Sequence, residues 1–526
     1  MQNGFKYVLA AGAASALLLT GSAQAQTPQR GGTVIFTVTG DPLTFNPSIQ
    51  TNVADEQVGC IVYQTLIQYD HNYKMMPVLA KSWSISPDGL VYTFELNKAE
   101  WHDGKPFTST DVKYTLEEVS TKYSSVFQRA GEAIAKIDTP APDKVVITLK
   151  RSFGPFMVSL GCMQGAALLP EHLLRGTDVR TNPITLTAPV GTGPFVFKEW
   201  KRGEYLRFER NEKYWVPGKP YLDAVIAKVI TQNSARTAAI QAGEVDLTRN
   251  IPSSDKPSID ANAKLVVVND DVPSSYVPLF FNVKRKPLDD KRVRHALMMA
   301  LDRDYLIKNA WFGIGDPGRQ PMPRYMGWTI DESIDYNKMY PFNVDKANAL
   351  LDEAGVKRGA DGKRFKINLL PIQGYPEFDQ VSVAMKAMWA KIGVDVTIES
   401  LEMATFLKRV HTDSDFDAVL NGYSTYADPA LGVVRMWATG MINKPFGNAS
   451  NYSNPKVDDL FSQGEGRTDL KDRAKYYNEA QAILADDLPV IMLREYRQID
   501  AVNKKLKGTF NVAEGMLTWE GAWLEK

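Results

Sequence analysis

The residues able to do chemistry are few and scattered. Five histidines, His71, His102, His172, His295 and His411, stand far apart, without the spacing that brings imidazoles onto one metal ion. The two cysteines, Cys60 and Cys162, fit either a disulfide or a pair of buried thiols. A bond needs their Cα atoms within about 7 Å, which the sequence leaves open. Gly161-Cys162-Met163 matches no nucleophile motif, and His102-Asp103 in WHDGKPF reads as a turn after a strand rather than an acid–base dyad. The chain has no G-x-S-x-G elbow, H-E-x-x-H pair, Walker loop or dinucleotide fingerprint. What remains is recognition chemistry, concentrated in YSTYADPALG, Tyr423 to Gly432. Tyr423 and Tyr426 offer flat, amphipathic rings, and Ser424 and Thr425 offer hydrogen bonds. Asp428 is either a carboxylate for a ligand or a cap for the turn. Just beyond, Arg435 could form a carboxylate fork and Trp437 a stacking plate, or both could sit on a helix face with Trp437 in the core.

The elements around this loop give it a place. FKINLLP, FDQVSVAMKAMWAKIG and VDVTIESL (residues 365–401) read as strand, helix with a glycine stop, and strand. That is a βαβ unit with a parallel pair and a right-handed crossover. The helix MATFLKRV and the strand FDAVLNGY follow, so YSTYADPALG lies just past the carboxyl end of an α/β strand, where open α/β sheets tend to bind ligands. Upstream, DDKRVRHALMMALDRDYLIKNAWFG predicts one long helical stretch, with Val293, Ala296, Leu297, Ala300 and Leu301 on one face. The first half reads differently. GGTVIFTVTGDP is a strand, Ala54 to Leu66 a helix, Pro87-Asp88-Gly89 a hairpin turn, and KVVITLKR a strand. Thr108 to Asp111 offer capping oxygens to a helix. The predicted fold is therefore α/β with two lobes, the first rich in antiparallel strands. The strand-like LPVIMLREYRQIDAVNKKLKG returns to it near the end.

The chain opens with Lys6, an apolar run from Tyr7 to Thr20 and Ala23-Gln24-Ala25, the pattern of a cleavable signal peptide over residues 1–25. Export is expected. Lys+Arg and Asp+Glu balance at 61 each, so the basic field that phosphate backbones demand is missing and nucleic acid is not an expected partner. A length of 526 residues exceeds what one core supports and predicts more than one lobe.

Several runs resemble family 5 extracytoplasmic solute-binding proteins, the peptide and nickel receptors of ABC importers. They are LAKSWSISPDGLVYTFELNKAEWHDGKPFTSTDVKYTLE (Leu79 to Glu117), GTGPFVFKEWKRGEYLRFERNEKYWVPGKPYLDAV (Gly191 to Val225), QAGEVD, LDDKRVRHALMMALDRDYLI and NYSNPKVDDLF. The resemblance covers nearly the whole mature chain in family order. It implies a two-lobed periplasmic-binding-protein fold (type II, cluster C) with an extra subdomain in the first lobe. On that template residues 26–73, 188–282 and 490–526 form lobe I, 74–187 its insert, and 283–489 lobe II. It also implies a periplasmic monomer without cofactor or catalysis, closing on a peptide or similar polar solute for an inner-membrane ABC permease.

The same resemblance makes YSTYADP the ligand wall and places Thr44, Phe45 and Asn46, after the first strand, at the cleft; Tyr276 and Trp328 complete the candidates, each with a structural role as the alternative. Peptide receptors of the family often carry an aspartate three positions before the acidic residue of this loop, where it pairs with the peptide's α-amino group. Here that position is Thr425. A buried ammonium without an opposite charge is costly, so a non-peptide ligand (an opine-like or sugar conjugate, or a metal chelate) stays open beside the peptide. Bare nickel is disfavoured because no histidine cluster would hold it. An exported hydrolase lacks its nucleophile–base pair, and a sensory receptor without transport is a further alternative.

Overall fold

The structure, a computed structural model, describes residues 27–49, 53–70, 74–269, 275–373, 375–496, 499–509 and 517–526. The predicted signal peptide, His71 and Tyr73 lie outside them. Two large sheets carry the molecule. The first has seven strands in the order Leu265–Asn269, Ile499–Asn503, Leu247–Thr248, Thr33–Val38, Ala224–Val229, Tyr205–Arg210 and Phe195–Lys201. Thr33–Val38 runs parallel to both of its neighbours and the other pairs are antiparallel. The second sheet holds the expected βαβ unit: Phe365–Pro371 and Val394–Ile398 pair in parallel across the helix Pro376–Ala390. Ala418–Leu420 extends it in parallel, and Ser275–Phe281 joins it antiparallel. A third, four-stranded antiparallel sheet comprises Ala80–Ile85, Val91–Leu96, Lys144–Leu149 and Ile134–Ala141.

Each sheet owns a core. Tyr92, Phe94, Val145 and Ile147 alternate inward from the third sheet, and Leu279, Phe281, Leu369 and Trp389 lie in the second. The hairpin turn is as predicted, with Gly89 at φ 69°, where a side chain would be strained. Thr108 caps the helix that starts at Ser109, and Asp111 Oδ2 accepts from the Thr108 amide at 2.8 Å.

One expectation is corrected. The long helical stretch is two helices, Lys291–Met299 and Arg303–Ala310, because Asp302 leaves the helix and accepts from the Tyr305 amide at 2.9 Å. Ser275–Phe281 and Val490–Tyr496, placed in the first lobe by residues 188–282 and 490–526, pair with each other in the second sheet. The chain thus changes sheet between Asn269 and Ser275, and again between Tyr496 and Ile499.

Glu495 sits beside the second crossing, fully buried. Arg324 Nε is 3.3 Å from its Oε2, yet burial outweighs this partner and pushes the carboxyl up to about 7. An acid raised on folding binds its proton more tightly in the native state, so its contribution is complete below about pH 4.5 and lost as pH rises through about 7. Unfolding titrations of wild type and Glu495→Gln between pH 4 and 8 should therefore diverge, the wild type alone losing stability from this source across that window. Parallel curves would show that Glu495 does not titrate there.

Candidate functional site

A cavity of about 100 Å³ opens between the first lobe and Ala427 of the YSTYADPALG loop. Its first-lobe wall is built mainly from the end of the helix Val53–Val62 and the chain after it, the Gly161–Gln164 turn and residues 517–520, with Val78, Val158 and Pro194 added from elsewhere. Cys60 and Cys162, both on this wall, are joined by a disulfide with Cα atoms 6.3 Å apart, which ties that helix to the turn. Gln64 is the hub of the polar part. Its Nε2 donates to Tyr214 Oη at 2.8 Å, while its Oε1 accepts from Trp215 Nε1 at 3.0 Å and Thr192 Oγ1 at 3.1 Å. With its amide so engaged, Gln64 has one orientation. Tyr63 donates to the Ile184 carbonyl at 2.9 Å, and the Trp519 ring lies 4.9 Å from that of Phe36.

The opposite wall is strained. Tyr426 and Ala427 have φ 48° and 58°, consecutive left-handed positions without glycine, at a cost of about 1–2 kcal/mol each. Gly432 permits the fold-back, since a Cβ there would lie 2.1 Å from the Thr425 carbonyl oxygen. Asp428 holds the turn: its Oδ1 accepts from the Ala430 amide at 2.9 Å, and both oxygens receive the Arg473 guanidinium at 2.7 Å. That pair is almost wholly buried, with side chains 1% and 3% exposed. Arg473 Nε also donates to the Gly464 carbonyl at 3.0 Å, linking the loop to the helix Pro455–Glu465.

The helix's last residue grips the other lobe. Glu465 accepts both terminal nitrogens of Arg151 at 3.1 Å and pairs with Arg129, whose other terminal nitrogen donates to the Ala430 carbonyl at 2.8 Å. Gly154 donates its amide to the Glu465 carbonyl at 2.7 Å, and a Cβ there would lie 2.2 Å from the Arg467 carbonyl oxygen. The loop, Arg473 and this contact form one connected network. Separating the lobes breaks the Glu465 contact, so Glu465→Ala should speed solute release and weaken binding about fivefold, the worth of two partly exposed pairs. The effect should shrink at high salt. Dissociation kinetics at two ionic strengths check it; an unchanged release rate would show that the contact does not report closure.

None of the twelve ligand candidates named from the sequence lines the cavity; their neighbour Ala427 does, as do Cys60 and Cys162. Phe45 is fully buried against Phe197 and Trp200, with ring centroids 5.0 and 5.8 Å away. Thr44 Oγ1 donates to the Thr185 carbonyl, and Asn46 Oδ1 accepts from the Ser48 amide. Tyr423 is core, packed on Phe280 with its hydroxyl on the Gly447 carbonyl, and burial pushes its phenol far up. Trp437 and Tyr276 are likewise core, and Trp328 lies under the Arg473 guanidinium at 4.9 Å. Arg435 is spent on the Gly432 and Ser424 carbonyls between the Tyr423 and Tyr426 rings. Thr425 is buried and its hydroxyl meets that of Tyr325, while Ser424 is exposed. His172 bonds Asp103 at 2.7 Å, and His102 the Gly193 carbonyl, so the WHDGKPF pair forms no dyad. Among the described residues no three His, Cys, Asp or Glu side chains are grouped to hold a metal ion.

The profile of the bacterial extracellular solute-binding proteins, family 5 Middle, matches residues 74–444. The chain belongs to this family. The family 5 chain is 29% identical over 513 residues to the oligopeptide-binding protein AppA of Bacillus subtilis, covering 95% of this chain and 93% of AppA. The structure of AppA in complex with a nonapeptide matches with a TM-score of 0.76, over 95% of this chain and all of that one. The glutathione-binding protein GsiB of Pectobacterium atrosepticum is 29% identical over 500 residues, 92% of this chain and 91% of its own. AgaA of A. tumefaciens R10, solved in complex with agropinic acid, matches at 26% identity with a TM-score of 0.74, over 94% and 99% of the two chains. The family 5 chain therefore has the two-lobed periplasmic-binding-protein fold and the solute-binding role of its family. No helix among its described residues is long and apolar enough to cross a membrane.

Proposed function

We propose that the protein is the periplasmic receptor of an ABC importer, exported by residues 1–25, which captures a small peptide as a monomer and presents it to an inner-membrane permease. Capture involves no covalent change: the ligand prefers the closed arrangement and shifts the population toward it. The observation that carries the reading is the cavity between the first lobe and Ala427. Its wall combines the amides of Gln64, Gln68 and Gln164 with the rings of Tyr63, Tyr69 and Trp519, groups suited to bond a peptide backbone and pack against its side chains. Peptide-binding relatives along nearly the whole chain support the ligand class. Ala427, next to Tyr426, forms the second-lobe side of the site in this reading. Domain limits follow the sheets, with the second lobe running from about 275 to 496.

A non-peptide solute is the second reading, favoured by one observation: Thr425 supplies a hydroxyl where a carboxylate would receive an α-ammonium, and Asp428 is committed to Arg473. Native mass spectrometry of protein purified without refolding, followed by identification of its cargo, decides between them. Short peptides establish the first reading. A single non-peptide mass establishes the second.

A further inference from the structure

The cavity wall is neutral except at one residue. Gln64, Gln68 and Gln164 bring amides, Tyr63 and Tyr69 bring phenols, and among the described residues that line it Glu520 alone carries a charge. The Glu520 side chain is 27% exposed. One oxygen accepts from Tyr214 Oη at 3.0 Å and the other from Lys219 Nζ at 2.7 Å. A carboxylate offers about four acceptor sites, so two partners leave capacity for more. Its position is fixed from behind: Gln64 donates to Tyr214, and Tyr214 donates to Glu520. Across the cavity the loop has no carboxylate to spare, because Asp428 is held on both oxygens by Arg473.

We infer that Glu520, from the first lobe, receives the cationic group of the ligand, the α-ammonium of a small peptide, in place of the carboxylate that the second-lobe loop lacks. This rests on the peptide reading above. An ammonium donates three hydrogen bonds and needs an opposite charge when it leaves water; Glu520 supplies the charge and about two of the acceptor sites, on a wall whose other described residues are neutral. Lys219, bound to the same carboxylate and absent from the cavity wall, tempers the attraction. The balance of this pair then sets how strongly a free amino terminus is preferred.

Calorimetric titration with dipeptides, each with a free and an N-acetylated amino terminus, tests the assignment on wild type, Glu520→Gln and Lys219→Gln. The wild type should prefer the free amine, Glu520→Gln should lose about tenfold of that preference, and Lys219→Gln should increase it. Both variants break the same ion pair, so mere structural damage would move them in the same direction, whereas the assignment requires opposite directions. Shifts of the same sign, or a preference unchanged in Glu520→Gln, overturn the role of Glu520 and leave the peptide reading standing. A wild type that binds dipeptides in neither form overturns both.

Discussion

Arg473→Ala is expected to lower the unfolding free energy by about 3–5 kcal/mol, because it strands the Asp428 carboxylate in a site that water does not reach. Among the described residues, the side chain of Asp428 accepts two groups beyond its own turn, and both are nitrogens of this guanidinium. The loss should extend beyond the pair. Arg473 also bonds Gly464 and lies over the Trp328 and Tyr477 rings, so its removal frees the strained turn, the end of the helix Pro455–Glu465 and the core beneath. Ligand affinity should fall with stability, since Ala427 is placed by that turn. Replacing both partners, as Asp428→Asn with Arg473→Met, should cost less than Arg473→Ala alone, because no buried charge is then left unpaired. Urea unfolding of the three variants settles the point; a double variant less stable than Arg473→Ala would show that the charge pair itself, not its desolvation, holds the loop.

Removing the disulfide should have a comparable effect. Cys60 and Cys162 are 102 residues apart, and a cross-link closing a loop of about 100 residues is worth about 4.7 kcal/mol in the chain-entropy account, with about 2–5 observed for native bridges. The Cys60→Ser, Cys162→Ser double variant should lose stability in that range, and the wild type in reductant should match it. Both residues also lie on the cavity wall, so the helix Val53–Val62 and the Gly161–Gln164 turn would no longer be held together and binding should weaken as well. Unfolding midpoints and ligand titrations with and without reductant check both parts. Equal midpoints under conditions that cleave the bond would refute the stability claim.

Local patterns made much of the fold legible. The alternation in Val91–Leu96, the glycine at the hairpin, and the strand–helix–strand run with its glycine stop at Gly393 each depend on neighbours in sequence, and each took its expected form. The sheet that SYVPLFF joins was not legible, because this largely apolar run would suit the interior of either sheet; only its pairing with Val490–Tyr496 assigns it. The site was harder to read. Tyr423 and Trp437 look like ligand plates in a polar loop, but the loop folds back at Gly432 and turns them inward. Thr44 and Asn46 lie after the first strand as expected, yet their oxygens are taken up by the Thr185 carbonyl and the Ser48 amide. Gln64, Gln164 and Glu520 meet from distant segments. The one local hint was a glutamine between glycines in GCMQG.

The order of strands in the first sheet governs how the molecule can be assembled. Ile499–Asn503 lies between Leu265–Asn269 and Leu247–Thr248, so the slot it fills stays vacant until the whole of the second lobe has been synthesised. A nascent chain released before Ile499 presents two raw strand edges there, each a template for pairing with another chain. Completion of this strand therefore acts as a proofreading step: only a polypeptide that extends through Asn503 can fill the slot in the first sheet.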